Sequence, residues 1–369
     1  MMRIDKPSDE QRRHTFSILE KRIAKFGEPI FTKYLSLGAY TVRLINCSHA
    51  FTHHIELQLG CTLKDNADHY DTTLVVWQDD VAEIALSLQA PYIGPARHRQ
   101  LRVAKIMRQV VAIEDFMYFD DSIWPLHNFV EVLVHVGILS AYDPKKNTYY
   151  YAVENLEPEE FIRHGHIFVQ TFNKILKSPT SNLGHGAVVG LQDKGVLLCG
   201  IGYRGKSTFA VNALLDGFDY VSDDYLVLGK DGDVLRSWPI YSIITLSPVV
   251  YKSMYARLNA TFVSNNARKD KYVFNIANYH DQFKMGYPIK LCMYPVFVDT
   301  TEPSIALGGK NKAVQELVLS TVRQMGDLED VITVSKLYGF VEGLPFYQFN
   351  LTKNIDKNTQ CLRKFLEQF

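Results

Sequence analysis

The segment from Gly200 to Ser207 constrains this chain more than any other stretch of its sequence. It reads Gly-Ile-Gly-Tyr-Arg-Gly-Lys-Ser, matches the pattern G-x-x-x-x-G-K-[ST], and directly follows the apolar run Gly195-Val-Leu-Leu-Cys199. In this pattern the glycines let backbone N–H groups face a polyphosphate, the lysine neutralises phosphate charge, and the serine hydroxyl can bind Mg²⁺. The sequence therefore predicts a strand that leads into a phosphate-binding loop, with a nucleotide as its ligand.

A helix is predicted directly after this phosphate loop. Phe209, Ala213 and Leu214 recur at helical spacing, and Gly217 provides a C-terminal stop. The positive N-terminal end of such a helix favours an anion at the loop. The alternative interpretation is a Gly-rich turn that caps a helix and leaves Lys206 solvated. The residues predicted to bind the nucleotide are Gly200, Gly202, Tyr203, Arg204, Gly205, Lys206, Ser207 and Thr208.

Two apolar runs around a short turn predict that a β-hairpin includes the strand before the loop. Ala187–Leu191 and Val196–Cys199 are separated by Gln192-Asp-Lys-Gly195. Parallel-sheet phosphate-loop proteins usually reach neighbouring strands through helical crossovers. We therefore expect a mixed sheet in which these two runs are antiparallel neighbours. A second hairpin is predicted from Tyr225 to Trp238.

The remaining pattern predicts an N-terminal α+β domain at residues 1–165 and a nucleotide-binding core at residues 166–369. An amphipathic helix is expected from Asp9 to about Lys25, and another from Ala313 to Met325. Strands are predicted at 39–45, 55–59 and 72–77 and as a pair within 141–152, with a polar loop at 61–71 and a helical or mixed stretch at 96–139.

Composition limits which binding partners and which cellular compartment we expect for this chain. The chain has 369 residues, with 40 Lys+Arg balanced by 40 Asp+Glu, so no net field favours nucleic acid or an anionic membrane. Its five cysteines are scattered without a C-x-x-C spacing, which is typical of a reducing compartment. No segment has the apolar length of a signal peptide or a membrane span. We expect a cytoplasmic protein with no nucleic-acid or membrane partner, and homo-oligomerisation stays open.

An acidic pair follows the predicted loop and helix. Asp223 and Asp224 come directly after a short predicted strand, Asp219–Ser222, which should return beside the phosphate loop. Of two carboxylates at that place, one can bind Mg²⁺ and the other can accept the proton of an attacking hydroxyl. The alternative is a structural pair, because adjacent aspartates also occur at Asp79-Asp80 and Asp120-Asp121. Separately, Arg268-Lys-Asp-Lys271 is a basic cluster that either reaches phosphates or an acidic acceptor, or lies in a solvated loop.

In order and spacing, these motifs resemble the bacterial HPr kinase/phosphorylases and the kinases built on that fold, whose core is shared with ATP-dependent phosphoenolpyruvate carboxykinase. The resemblance covers roughly residues 183–245 and rests on His185-Gly186, the loop from Gly200, Gly217 and the pair Asp223-Asp224. It implies an α/β (α+β) fold with a mixed-sheet phosphate-loop kinase core. It also implies ATP and Mg²⁺ as cofactors and an N-terminal domain that helps to bind the acceptor.

The same resemblance implies a role for each matching residue. Lys206 would grip the transferring phosphate and Ser207 would bind Mg²⁺. Asp223 would be the base for the acceptor hydroxyl, Asp224 would bind the metal, and His185 would place the phosphate or orient a carboxylate. The two aspartate roles could be exchanged.

The sequence also departs from that family. Tyr203 stands where the family's loop usually has glycine, Thr208 stands where an acidic residue is common, and residues 240–248 lack the downstream acidic metal ligand. HPr is therefore not the expected acceptor. Our leading interpretation is ATP-dependent transfer of the γ-phosphoryl group to a hydroxyl, most readily a serine of a protein or peptide. The alternatives are a kinase for a small molecule, such as a sugar or free serine, and a nucleotide-binding regulatory protein without transfer activity.

Overall fold

Mixed β-sheets organise this α+β chain in the computed structural model, as the sequence predicts. The structure describes residues 9–87, 116–119, 129–133, 138–154, 166–176, 180–202, 204–266, 271–325 and 331–369. The chain divides into a first unit, Met1–Leu35 with Thr41–Ile55 and Lys64–Phe161, and a second unit, Ser36–Tyr40 with Glu56–Leu63 and Ile162–Phe369. The division after residue 165 into an acceptor-binding domain and a nucleotide-binding core stays a prediction.

The described helices and strands are numbered here in chain order. The helices are α1 (Asp9–Ile23), α2 (His49–Leu59), α3 (Val81–Ser87), α4 (Val169–Ile175), α5 (Lys206–Leu215), α6 (Pro248–Met254), α7 (Lys310–Met325), α8 (Val331–Val341) and α9 (Ile355–Gln368). The first strands are β1 (Phe31–Leu37), β2 (Tyr40–Asn46), β3 (Leu63–Lys64), β4 (Thr72–Gln78), β5 (Phe116–Phe119), β6 (Phe129–Leu133), β7 (Ile138–Asp143) and β8 (Thr148–Val153). The later strands are β9 (Ser181–His185), β10 (Ala187–Leu191), β11 (Lys194–Leu198), β12 (Asp219–Ser222), β13 (Tyr225–Asp231), β14 (Val234–Pro239), β15 (Ile243–Leu246), β16 (Thr261–Asn266), β17 (Lys271–Asn275), β18 (Tyr287–Phe297), β19 (Ser304–Leu307) and β20 (Phe346–Leu351).

An eight-stranded mixed sheet in the order β3-β1-β2-β4-β8-β7-β6-β5 dominates the first part of the chain. Strands β2, β4 and β8 are parallel, and β8, β7, β6 and β5 form an antiparallel meander. The predicted helix α1, strands β2 and β4 and the pair β7–β8 are confirmed. Much of the stretch 96–139 lies outside the described residues, and its described parts, 116–119, 129–133 and 138–139, are strands.

The predicted strand at 55–59 is wrong, because these residues form the end of helix α2. Ile55 and Leu59 lie four residues apart, and Phe51 lies four residues earlier. All three side chains are fully buried, as expected for one stripe of a helix. The run 55–59 is apolar at its two ends and its centre, so it fits both the period of a strand and that of a helix. The longer pattern that includes Phe51 favours the helix.

The sheet of the second unit has the order β12-β10-β11-β18-β14-β13-β9, and β20 and β19 extend it from β18. Strand β10 is the antiparallel neighbour of β11, and β11 runs parallel to β18, which confirms the predicted mixed sheet and its first hairpin. The hairpin turn places Gln192 and Asp193 at φ angles of 52° and 60°. Two consecutive positive φ angles fit the turn type that matches the right-handed twist of paired strands. The second predicted hairpin is the antiparallel pair β13–β14.

Both faces of this sheet are covered by helices, because β10 and β11 carry buried side chains on both sides. Val188 and Leu197 face a core with helices α7 and α8, whereas Val189 and Val196 face a core with α5 and α9. The helix residues in these two cores include Ala313, Leu317, Leu337 and Val341 on one side and Phe209, Leu214, Leu362 and Leu366 on the other. This double burial explains the near-continuous apolar runs before the phosphate loop.

We predict that Gly195→Ala in β11 lowers the free energy of unfolding by ~2 kcal/mol or more, because overpacking a dense core forces the backbone to move. An added Cβ would lie 2.2 Å from the carbonyl oxygen of Pro288. Gly339→Ala in α8 is the control, since an added Cβ there meets no atom within 4 Å. Its effect should stay within about 1 kcal/mol, in the stabilising direction. Denaturant unfolding of both variants decides the matter, and equal stabilities would contradict the packing described here.

Candidate nucleotide-binding site

The phosphate loop joins β11 to the first residue of α5, as the motif requires. Gly205 has a φ angle of 83°, and an added Cβ would lie 2.7 Å from Cζ of Phe297. Both the backbone conformation and the available space therefore require glycine at this position. Gly202 and Arg204 are exposed and Thr208 is half-buried, whereas Tyr203 lies outside the described residues.

Lys206 is buried and points back along its own loop. Its Nζ donates hydrogen bonds to the carbonyl oxygens of Gly200 at 2.5 Å and Ile201 at 3.3 Å. Burial lowers the pKa of the ammonium group, and the negative charge of Asp224 acts in the opposite direction. The lysine is thus held at the base of the loop, where a phosphate would bring compensating charge.

Ser207 and Asp223 lie side by side although they come from different elements. The Ser207 hydroxyl on α5 donates a hydrogen bond of 3.2 Å to the backbone carbonyl of Asp223, which follows β12. Oδ1 of Asp223 accepts a hydrogen bond of 3.1 Å from the Tyr220 hydroxyl. Oδ2 is also buried, and among the described residues it has no hydrogen-bond partner. A buried carboxylate oxygen without a partner is costly, so this atom marks a position where a ligand group would be accommodated.

The two carboxyl groups of the acidic pair differ in ionisation. Burial, and then the charge of Asp224, raise the pKa of Asp223 to about 7. Burial also works to raise the pKa of Asp224, but the His185 hydrogen bond and the charges of His185 and His166 outweigh it and hold that pKa far below its ordinary value. Neighbouring groups whose pKa values are driven apart are typical of an acid–base site.

Two histidines contact Asp224. His185 Nε2 lies 2.9 Å from Oδ1, and His166 Nδ1 lies 3.7 Å from Oδ2. The pairing of His185 with Tyr225 in strands β9 and β13 brings this histidine beside the acidic pair. The Gly186 N–H also donates a 2.9 Å hydrogen bond to the Asp224 carbonyl. The His-Gly dipeptide and the acidic pair are therefore adjacent in space.

The structure brings together Lys206, Ser207, Asp223, Asp224 and His185, which the sequence singled out. It also adds residues that the sequence did not indicate: Tyr220 on Asp223, His166 on Asp224 and Glu316 on the loop. Of the basic cluster, residues 268–270 lie outside the described part of the chain. Lys271, at the start of β17, lies close enough for its charge to lower the pKa of both aspartates.

Within the described residues, no group of three or more His, Cys, Asp or Glu side chains has the arrangement of a protein-only metal site. Mg²⁺ in nucleotide sites usually has one or two carboxylates, with phosphates and water as its other ligands. Ser207 and the acidic pair offer donors of that kind. Over the same residues, no helix is long and apolar enough to cross a membrane.

No protein-family model and no curated protein matches this sequence. Among solved structures, the chain is similar to the HPr(Ser) kinase/phosphatase from Coxiella burnetii, with 13% sequence identity and a TM-score of 0.28. The match covers 51% of this chain and 97% of that chain. This likeness is weak, and no residue role is transferred from it.

We predict that Asp223 makes the stability of the second unit depend on pH. Its pKa of about 7 in the folded chain lies above the value of ~3.9 in the unfolded chain. Its contribution to stability is therefore fully present below about pH 4 and is lost as the pH rises through about 7. Asp223→Asn avoids this loss, so its unfolding free energy relative to wild type should rise by on the order of 2 kcal/mol between about pH 5 and about pH 8.

Denaturant unfolding across that pH window measures the difference between the two proteins. Asp233→Asn is the matched control, because that carboxylate is exposed in the same unit. The control should show a difference from wild type that does not change with pH. A flat difference for Asp223→Asn as well would contradict the raised pKa.

Proposed function

We propose that this chain is an ATP-dependent phosphotransferase that uses Mg²⁺ and transfers the γ-phosphoryl group to a hydroxyl. The observation that supports this most is the meeting of three groups at one place: the glycine loop with Lys206, the Ser207 hydroxyl, and the buried Asp223 oxygen without a partner. Phosphoryl transfer depends mainly on positioning and on neutralising charge, and these groups supply both.

The residues present fit a nucleoside triphosphate with Mg²⁺. Gly205 adopts a φ angle of 83° directly before α5, where helix N–H groups favour an anion, and Lys206 would add a cation to the phosphates. Ser207 and Asp224 would hold the metal, which would neutralise charge on the phosphates. Asp223 would accept the proton of the acceptor hydroxyl, because its pKa of about 7 matches the requirement for a general base near neutral pH.

The acceptor we propose is a serine hydroxyl of a protein or peptide. The purified chain, incubated with ATP labelled at the γ-phosphate, would be offered serine-containing proteins and peptides, sugars and free serine in parallel. Label on a protein or peptide supports the proposal, and label on a small compound selects the small-molecule kinase. Mg-ATP binding without transfer to any of these or to water would identify a nucleotide-binding regulator.

We predict that Lys206→Ala weakens Mg-ATP binding at least about tenfold, because a hydrogen bond to a charged group contributes ~1.5–3 kcal/mol. Calorimetric titration with Mg-ATP measures the dissociation constant. Lys252→Ala, at an exposed position on α6, is the control and should bind as wild type does. If Lys206→Ala also binds with wild-type affinity, the assignment of the phosphate loop is wrong.

We predict that Asp223→Asn and Asp224→Asn both slow transfer, but in different ways. Loss of the base should leave Mg-ATP binding nearly intact and slow the chemical step by ~10²–10⁴-fold. Loss of the metal ligand should raise the Mg²⁺ concentration needed for half-maximal activity. Titrating Mg²⁺ against activity in each variant separates the two effects.

The reverse pattern would exchange the two aspartate roles without changing the reaction. Near-normal transfer in both variants would mean that the acidic pair is structural, and the proposed mechanism would be abandoned.

A further inference from the structure

Helix α7 carries three buried polar side chains where an amphipathic helix would ordinarily be apolar. Glu316, Ser320 and Thr321 are 6%, 2% and 0% exposed, while their neighbours Ala313 and Leu317 pack into the core. Each of the three makes a hydrogen bond to the backbone of a site segment. These contacts go to two different segments, the phosphate loop and the end of β9.

Glu316 holds the first part of the phosphate loop. Its Oε2 accepts a hydrogen bond of 3.1 Å from the Ile201 N–H, and Lys312 forms an ion pair of 2.9 Å with Oε1. Burial works to raise the pKa of Glu316, but the hydrogen bonds from Lys312 and Ile201 outweigh it and keep that pKa below its usual range. Since Lys206 binds the Ile201 carbonyl, Ile201 is fixed at both its N–H and its C=O.

Ser320 and Thr321 hold His185 through its main chain. The Ser320 hydroxyl donates to the His185 carbonyl at 3.0 Å, and the His185 N–H donates to the Thr321 hydroxyl at 3.0 Å. Strand β9 ends the sheet order, and the N–H and C=O of His185 bond to helix α7 in place of a further strand. Helix α7 thus satisfies both groups and fixes the backbone of the histidine that contacts Asp224.

We propose that Glu316, Ser320 and Thr321 are positioning residues that set the distance between the phosphate loop and the His185–Asp224 pair. This proposal rests on the proposed function, because it concerns the same reaction. Apolar side chains of similar volume would fill the same space but would leave the backbone groups of Ile201 and His185 without these partners. The three polar groups therefore fix the two segments in place as well as fill the core.

We call Glu316, Ser320 and Thr321 with their backbone contacts the clamp. Its loop half, the contact of Glu316 with Ile201, is tested by the affinity of the 369-residue chain for Mg-ATP. Glu316→Met leaves the Ile201 N–H unsatisfied, so the loop must reorder on binding and the affinity should fall about tenfold. Glu316→Gln keeps an acceptor oxygen and should restore the affinity to within about threefold of wild type. Calorimetry with Mg-ATP gives both values.

The contacts of Ser320 and Thr321 with His185 are tested by turnover at saturating Mg-ATP, measured as ADP release. The acceptor is the one that the labelling experiment identifies or, if it identifies none, water. Thr321→Val should lower turnover about tenfold and, at saturating Mg²⁺, leave the affinity for ATP unchanged, because the change acts on His185 and Asp224 and not on the loop. Thr321→Ser should rescue turnover. Thr359→Val is the control, since that buried hydroxyl lies in α9 and binds Asp216 away from these contacts.

If the three residues only stabilise the fold, the variants should melt at lower temperature. The Glu316 variant should then not lose affinity selectively, and the Thr321 variant should not lose turnover selectively. Wild-type affinity in Glu316→Met together with wild-type turnover in Thr321→Val would overturn the clamp and leave the proposed function standing. If the wild-type chain neither binds Mg-ATP nor releases ADP, the proposed function itself fails. Should Glu316→Met or Thr321→Val not fold, Glu316→Asp, which shortens the acceptor side chain, and Ser320→Ala, which removes the donor to the His185 carbonyl, replace them. Reduced affinity in the first or reduced turnover in the second supports the clamp, and wild-type values in both contradict it.

Discussion

Two adjacent buried carboxyl groups cannot both ionise without a compensating charge, and the site is arranged around this constraint. The two histidines on Asp224 make its ionised form favourable. That fixed negative charge, together with burial, keeps the proton on Asp223 up to a pH of about 7. The difference between the two groups therefore comes from the imidazoles beside Asp224 and from the deeper burial of Asp223, which is 3% exposed whereas the Asp224 side chain is 19% exposed. A change that moved either histidine would alter the pKa of both carboxyl groups.

The mixed sheet provides the positions that this arrangement needs. Strand β11 delivers the phosphate loop, and its hairpin partner β10 pairs on its other side with β12, which leads into the acidic pair. Strand β9 lies at the other end of the sheet order and pairs with β13, which begins directly after Asp223 and Asp224. Gly186 follows His185 at the end of β9 and leads into β10, which is the neighbour of β12 at the other end of the sheet order, and this connection lies beside Asp224. If helical crossovers to parallel strands were the only connections in the sheet, many more residues would be needed to bring the ends of β9, β10, β11 and β12 together.

The sequence predicted those parts of the fold and the site that are encoded locally. The hairpin turn, the helix after the loop and the acidic pair each depend on fewer than about fifteen consecutive residues, within reach of periodicity and turn chemistry. His166 and Glu316 could not be found in this way. Glu316 contacts a loop residue 115 positions away, and its sequence neighbours read as an ordinary amphipathic helix. The strand predicted at 55–59 was wrong for a different reason. A pattern of five residues is too short to distinguish the two-residue period of a strand from the 3.6-residue period of a helix.

The contacts of Lys206 bear on how a nucleotide would enter this site. An ammonium group has three donors, and the carbonyl groups of Gly200 and Ile201 use two of them. One donor stays available for a phosphate oxygen, so the lysine can bind the ligand without giving up the contacts that place it. Glu316 then matters because it fixes the Ile201 peptide from the other side. A lysine side chain that is already held by a fixed peptide loses less conformational entropy when it binds a ligand than a freely rotating lysine side chain does. The same contacts that satisfy the buried ammonium group would in this way prepare it for a phosphate.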